Sequence, residues 1–415
     1  MKRDEANAAI SEVLGRIALE RVVGADGKVS FSGWAINDYL AVLHGLELIS
    51  STVPQSEHQR MMWSAVVTCA RLKKPTIARL RGEIGRLERE FKNKPFIRRL
   101  ILTSISIRNG DLVHKIVREQ ATVRIRSRVP VFWLRERERA IAMSGSEGDE
   151  DFPKWFSIVT VSARGRTDSE CVDIALNELS VARAIWNLFF NRQIPTRMTL
   201  GGRRKPINEV ILGPVHTLHR PTGHSAKDAH WYEPDFRSDL KPKVVGKNAA
   251  DFLKFEENVL RLLRACRYRT DMERALRRYV DALDDYDWHR AFVKLWGAME
   301  LLTGTSFEDS RATIRRAASL FVDDFKYAEH RLNMLRNLRN RHVHAAHETD
   351  AIEAYLFMVK KHVEVLIQFH LAAKLRVDSM KEAAEFLELG NDLTKVNRRL
   401  QKLRQWKAVL SKREG

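Results

Sequence analysis

The chain has 415 residues, 44% of them hydrophobic and 30% charged, a composition that excludes a disordered chain and predicts about two or three domains with their own cores. Its 72 Lys and Arg against 53 Asp and Glu give a formal charge of +19, which makes a polyanion the natural partner. The three cysteines, Cys69, Cys171 and Cys266, are far apart and form no CxxC pair, which argues against a disulfide framework or a zinc ribbon. No run of about 18 apolar residues and no apolar signal core occur, so the expectation is a cytoplasmic protein with no membrane partner and no cofactor.

Residues 1–143 read as a helical, basic N-terminal region with a short strand pair. Trp34, Tyr39, Leu40, Leu43, Leu46 and Leu48 recur at helical spacing, Met61 to Leu72 continues the pattern, and Pro75 opens the next helix, where a missing N–H is harmless. From Ile101 to Ile107 and from Ala121 to Val131 the pattern changes to alternation. ATVRIRSRV sets Val123, Ile125 and Val129 against Arg124, Arg126 and Arg128, a strand with one basic face. Between Arg71 and Arg128 there are 17 Lys and Arg against 5 Asp and Glu. Such a run is either a track for an RNA backbone or a face that solubilises the chain or meets an acidic neighbour.

SGSEGDED, at 144–151, is small, polar and acidic and reads as a linker or exposed loop. Residues 152–248 then read as a small α+β domain, with strands over Trp155 to Ala163 and Glu209 to Leu218 and a long helix over Glu170 to Asn191. His216, His219, His224 and His230 fall close together here, beside Asp228 and Glu233. Their spacings match no ligand pattern, and His216 and His219 would point to opposite faces of a strand. No metal is expected, and the stretch reads as a substrate-contacting loop or a polar turn.

Residues 249–376 are almost wholly helical. After helices over Ala249 to Tyr268 and Met272 to Leu283, Trp288, Phe292, Leu295, Trp296, Met299 and Leu302 make an apolar stripe ending at Gly304. Glu300 sits beside it, either as an acid reaching a cleft or as surface charge near a helix end. Ser306 with Asp309 caps a helix over Arg311 to Val322, Tyr327 to His344 forms the next, and Tyr355, Leu356, Val359, Val363, Leu366 and Ile367 line another. These helices can close into an up-and-down bundle. Residues 377–415 read as a basic C-terminal helix, interrupted at Gly390 and Asn391, that packs on the body or a partner helix or serves as an RNA-touching arm.

The segment MLRNLRNRHVHAAHETD, Met334 to Asp350, carries the chemistry. Arg339 and Asn340 are followed after three residues by His344. A histidine can accept the proton of a ribose 2′-hydroxyl, an arginine can neutralise charge building on the phosphorus oxygens, and an asparagine can orient either one. At about 100° per residue, Asn340 lies about 100° and His344 about 140° around the helix from Arg339, so the set flanks a groove. A two-fold dimer bringing two such helices together would supply two arginines and two histidines to one cleft. Arg336, Arg341, His342 and His347 would be auxiliary substrate contacts, with Arg124, Arg126 and Arg128 gripping RNA elsewhere.

Arg339, Asn340 and His344 match the RNxxxH signature, and AFVKLWGAMELLTG (291–304) with ATIRRAASLF (312–321) resembles the Apea-like branch of the HEPN superfamily. The resemblance covers residues 270–372 firmly and the preceding domain loosely. It implies a mainly α protein ending in a HEPN-like bundle, acting as a homodimeric, metal-independent endoribonuclease in defence, toxin or RNA-processing systems. HEPN members without activity also occur, which leaves a non-catalytic RNA-binding or nucleotide-sensing module as the alternative. A DNA-binding regulator has less support, since no helix-turn-helix or zinc finger stands out.

Overall fold

The computed structural model describes residues 3–31, 35–142, 153, 155–192, 205–233, 235–237, 239–306, 309–345, 351–371, 376–390 and 392–411, with only the backbone described at 3, 227–230 and 342–345. The fold is mainly α. In chain order the elements are α1 (Arg3–Glu20), β1 (Arg21–Val23), β2 (Val29–Phe31), α2 (Ala35–Gly45), α3 (Gln55–Ala70), α4 (Ile77–Asn93), β3 (Ile97–Arg108), β4 (His114–Val117), β5 (Ala121–Arg126), α5 (Val131–Ala142), β6 (Phe156–Gly165) and α6 (Asp168–Asn191). There follow β7 (Val215–His219), β8 (Ser225–Tyr232), α7 (Ala249–Ala265), α8 (Arg269–Leu283), α9 (Trp288–Leu302), α10 (Ser310–Ala318), α11 (Phe325–Ala345), α12 (Ile352–Leu371), α13 (Met380–Leu389) and α14 (Leu393–Ser411).

The first four helices bury their own core, with Ile10, Leu14 and Ile17 of α1 against Leu40, Met62, Val66 and Leu80. Beyond them stands one antiparallel sheet of six strands in the order β4-β5-β6-β3-β7-β8. Its central pairing sets β3 against β6 from Ile97↔Gly165 to Ile105↔Ser157. Strands on both sides of the acidic segment at 144–151 therefore share one sheet, so the division drawn there from sequence runs through a folded unit. Local composition marks a loop and cannot reveal that the strands flanking it hydrogen-bond to each other. The alternation expected to continue to Val131 stops at Arg126, and Val131–Ala142 is helical instead.

Helix α6 explains why the sheet and the helical half form one body. Its N-terminus is capped by Thr167, whose Oγ1 accepts from the Glu170 N–H at 3.1 Å. From Val181 to Asn191 every side chain is buried, the mark of a helix covered on all sides. One side, with Trp186, Phe189 and Phe190, packs on Ile101, Val123, Ile125, Val159 and Val161 of the sheet. The other meets α8, which packs on α9, and α9 in turn packs on α12 and α11. The far face of the sheet carries α5 over β7 and β8. There Gly223, at φ +95°, admits the Trp133 indole into space that a Cβ would occupy.

Helix α14 stands apart. No described residue in it is buried, and Leu393, Leu403 and Trp406 are all more than half exposed, so it is not packed on the body.

Candidate active site

Helix α9 begins at Asp287, whose Oδ1 accepts from the N–H groups of His289 (2.9 Å) and Arg290 (3.3 Å). Its apolar stripe is buried through Leu302, and Glu300 lies on the flank that meets α11. On α11 the core residues are Ala328, Leu332, Leu335 and Leu338. Arg339, one turn beyond Leu335, falls on the same stripe, so the helix draws it inward and only 5% of it is exposed.

Inside, the guanidinium is held from two sides. Nη2 donates to Glu300 Oε1 at 3.2 Å and Nη1 to Asn340 Oδ1 at 3.2 Å. The same Glu300 oxygen accepts from Trp296 Nε1 at 3.1 Å. Glu300 is thus a partner of Arg339 and not a surface charge, its side chain being 14% exposed. Burial raises its carboxyl above the usual range against the opposing pull of Arg339 and Trp296, and burial likewise lowers Arg339 against the pull of Glu300. The arrangement fixes a positive charge near the end of α11, with its plane set by an amide and a carboxylate. A group of that kind can meet an anion in a defined orientation.

The remaining predicted residues divide by place. Arg336 is half-buried and Arg341 exposed, both in the last turns of α11 near Arg339. His342 and His344 lie on α11 by their backbone, but their side chains are outside the described residues, and His347 is outside them altogether. Arg124, Arg126 and Arg128 are elsewhere. Arg124 and Arg126 project from the face of β5 opposite α6, and exposed Arg128 follows the strand. The sheet, α6 and the α8–α9 layer separate them from α11, so the structure does not bring the two predicted sets together.

Sequence reasoning missed Trp296 and the pairing of Glu300 with Arg339. The spacing of Trp296 and Glu300, four apart on α9, shows that those two can meet. Nothing in the sequence ties them to an arginine 39 positions beyond Glu300.

The histidines of the middle segment each have separate company. His216 Nδ1 lies 2.6 Å from Thr103 Oγ1 and its Nε2 3.0 Å from Glu233 Oε1. On the other face, His219 lies 2.9 Å from the Gly223 carbonyl and 2.8 Å from Thr217 Oγ1. His224 packs on Phe132, and the side chain of His230 is outside the described residues. Among the described residues no group of three or more His, Cys, Asp and Glu is set to hold a metal.

A cleft of about 1480 Å³ opens where the α2–α3 loop, the end of the sheet, α6 and α8 meet. Half-buried Arg118 spans its wall, paired with Glu178 and, at 2.6 Å, with Glu273. It holds none of the α11 residues. No protein-family model matches this chain, and neither the curated proteins nor the solved structures include a match to it.

Proposed function

We propose that this chain is a metal-independent endoribonuclease that cuts RNA through attack of the substrate's own 2′-hydroxyl, at a composite site to which two copies each contribute α11. His344 takes the 2′-hydroxyl proton and later protonates the leaving 5′-oxygen. Arg339 stabilises the charge on the phosphorane, and Asn340 fixes the guanidinium plane. The products carry 2′,3′-cyclic phosphate and 5′-hydroxyl ends, and DNA, lacking the 2′-oxygen, resists the enzyme. A defence or toxin-type role fits such an activity. The observation that best supports the reading is the hydrogen bond from Arg339 to Asn340, with Glu300 behind it. Adjacent motif residues are engaged with each other, as an arginine and its orienting amide would be.

The burial of Arg339 favours a second reading, a non-catalytic RNA-binding or nucleotide-sensing module. In it the Arg339–Glu300 pair only locks α11 to α9, and the more accessible Arg336 and Arg341 grip phosphate. His344→Ala separates the two. Loss of RNA cleavage with RNA affinity retained supports the nuclease; equal loss of both supports the binding module.

A further inference from the structure

We infer that the face of the sheet opposite α6 is a binding track for single-stranded RNA, distinct from the cutting site on α11. The choice of RNA rests on the ribonuclease reading; the surface itself follows from the strand register. Arg98 stands opposite Arg164, Arg124 opposite both Lys115 and Thr160, and Thr122 opposite Ser162. Directly opposed residues share a face, and the pleat places Arg126 on it too. Five cations therefore project from one side of β4, β5, β6 and β3. None of the residues these strands direct to that side is a carboxylate.

Arg98, Lys115, Arg124 and Arg164 are exposed, and none takes part in an ion pair among the described residues. Helix α5 covers the β7–β8 part of this face and leaves the basic strip beside it open. Arg126 bends inward, its Nε donating to Thr160 Oγ1 at 3.0 Å, and burial together with neighbouring Arg124 lowers its proton affinity. A surface that keeps like charges together without carboxylates is stabilised by an incoming polyanion.

Two features select a single strand. Arg124 stands opposite Thr160, four residues or about 13 Å along β6 from Arg164, so Arg124 and Arg164 mark the ends of a short line of cations with the half-buried hydroxyls of Thr122 and Ser162 between them. At the Arg164 end, Phe96 is 48% exposed, with the guanidinium carbons of Arg164 and Arg166 at 4.9 and 4.3 Å from its ring centroid. Exposed aromatic and guanidinium planes beside a basic strip are what unpaired bases stack on, whereas a duplex hides its base faces. This end continues into the large cleft, which Phe96, Arg164 and Arg166 also line.

The test is fluorescence anisotropy with labelled oligouridylate across a salt series, in full-length Arg339→Ala protein so that cleavage plays no part. Arg98→Ala, Arg124→Ala and Arg164→Ala, each with wild-type circular dichroism, should each weaken binding about 5-fold at ~0.1 M salt and lower the log–log salt slope by about 0.7. Phe96→Ala should weaken binding with the slope unchanged. Unaltered affinity in the three arginine variants would overturn the assignment. So would stronger competition by a duplex RNA than by the single strand, or equal competition by polyglutamate at matched charge. Because the readout is binding in a cleavage-deficient background, failure here leaves the α11 reading standing, and a failure of cleavage is read separately from it.

Discussion

Replacing Glu300 with glutamine keeps the side-chain volume and removes the carboxylate charge that meets Arg339 at 3.2 Å. The amide oxygen can still accept from Trp296 and Arg339, so the loss is that of the counter-charge to a guanidinium in a residue only 5% exposed. Deleting one partner of a buried pair costs about 3–5 kcal/mol, and with both hydrogen bonds retained the cost should fall to about 2–3 kcal/mol. Arg339→Met should cost less, about 1–2 kcal/mol, because the Glu300 carboxyl already has a raised proton affinity and can neutralise itself. The double variant removes both charges from a desolvated site and should return to within about 1 kcal/mol of wild type, giving a coupling of about 2–5 kcal/mol. Urea unfolding followed by far-ultraviolet circular dichroism reads all four corners of the cycle. Additive single losses, with a coupling below about 0.5 kcal/mol, would refute a buried, mutually dependent pair.

Other consequences follow from the same packing. His362 and His370 are buried in the helical half, and desolvation depresses both from 6.5 to about 4 despite bonds to the Met358 and Leu302 carbonyls. The folded state then binds fewer protons than the unfolded one between those values. Stability present above about pH 6.5 is lost as pH falls toward 4, by about 2 kcal/mol per histidine at pH 5, and His362→Leu should flatten this dependence in urea titrations at pH 5 and 7. Arg183, 1% exposed, donates to the Val210 carbonyl at 3.1 Å and to Asp284 at 2.7 Å, so Arg183→Met should cost about 3 kcal/mol by thermal or urea unfolding. Gly304 ends α9 at φ +62°, and a Cβ there would stand 3.0 Å from Ala384 Cβ. Gly304→Ala should therefore cost about 1–2 kcal/mol in the same assay.

The elements that could be read from sequence are those whose signals are local. The helix expected over Trp288 to Leu302 is observed with those ends because its stripe is unbroken, Asp287 caps it and Gly304 stops it. The cap expected from Ser306 with Asp309 falls on Asp309 itself, whose Oδ1 accepts from the Ala312 N–H three residues on. What could not be read depends on distant partners. The pairing of β3 with β6 spans the acidic segment, and VFWLRERERAIA of α5 carries a pattern too mixed to mark a helix start at Val131. In the site, the arginine, asparagine and histidine could be named from their spacing. That Arg339 turns inward to Glu300 could not, since it depends on how α9 and α11 pack. The basic face of β5 was legible from the alternation alone, but its extension through Arg98, Arg164 and Lys115 required the register.

A phosphodiester-cutting site on α11 makes cleavage depend on Arg339 and His344 and on no metal. This dependence is tested most directly by incubating total cellular RNA with purified protein in excess EDTA, wild type beside Arg339→Ala and His344→Ala, and determining the fragment ends. Wild type alone should yield 2′,3′-cyclic phosphate and 5′-hydroxyl ends, with both variants folded. Cleavage that persists unchanged in either variant, or wild-type RNA left intact while still bound, would contradict it.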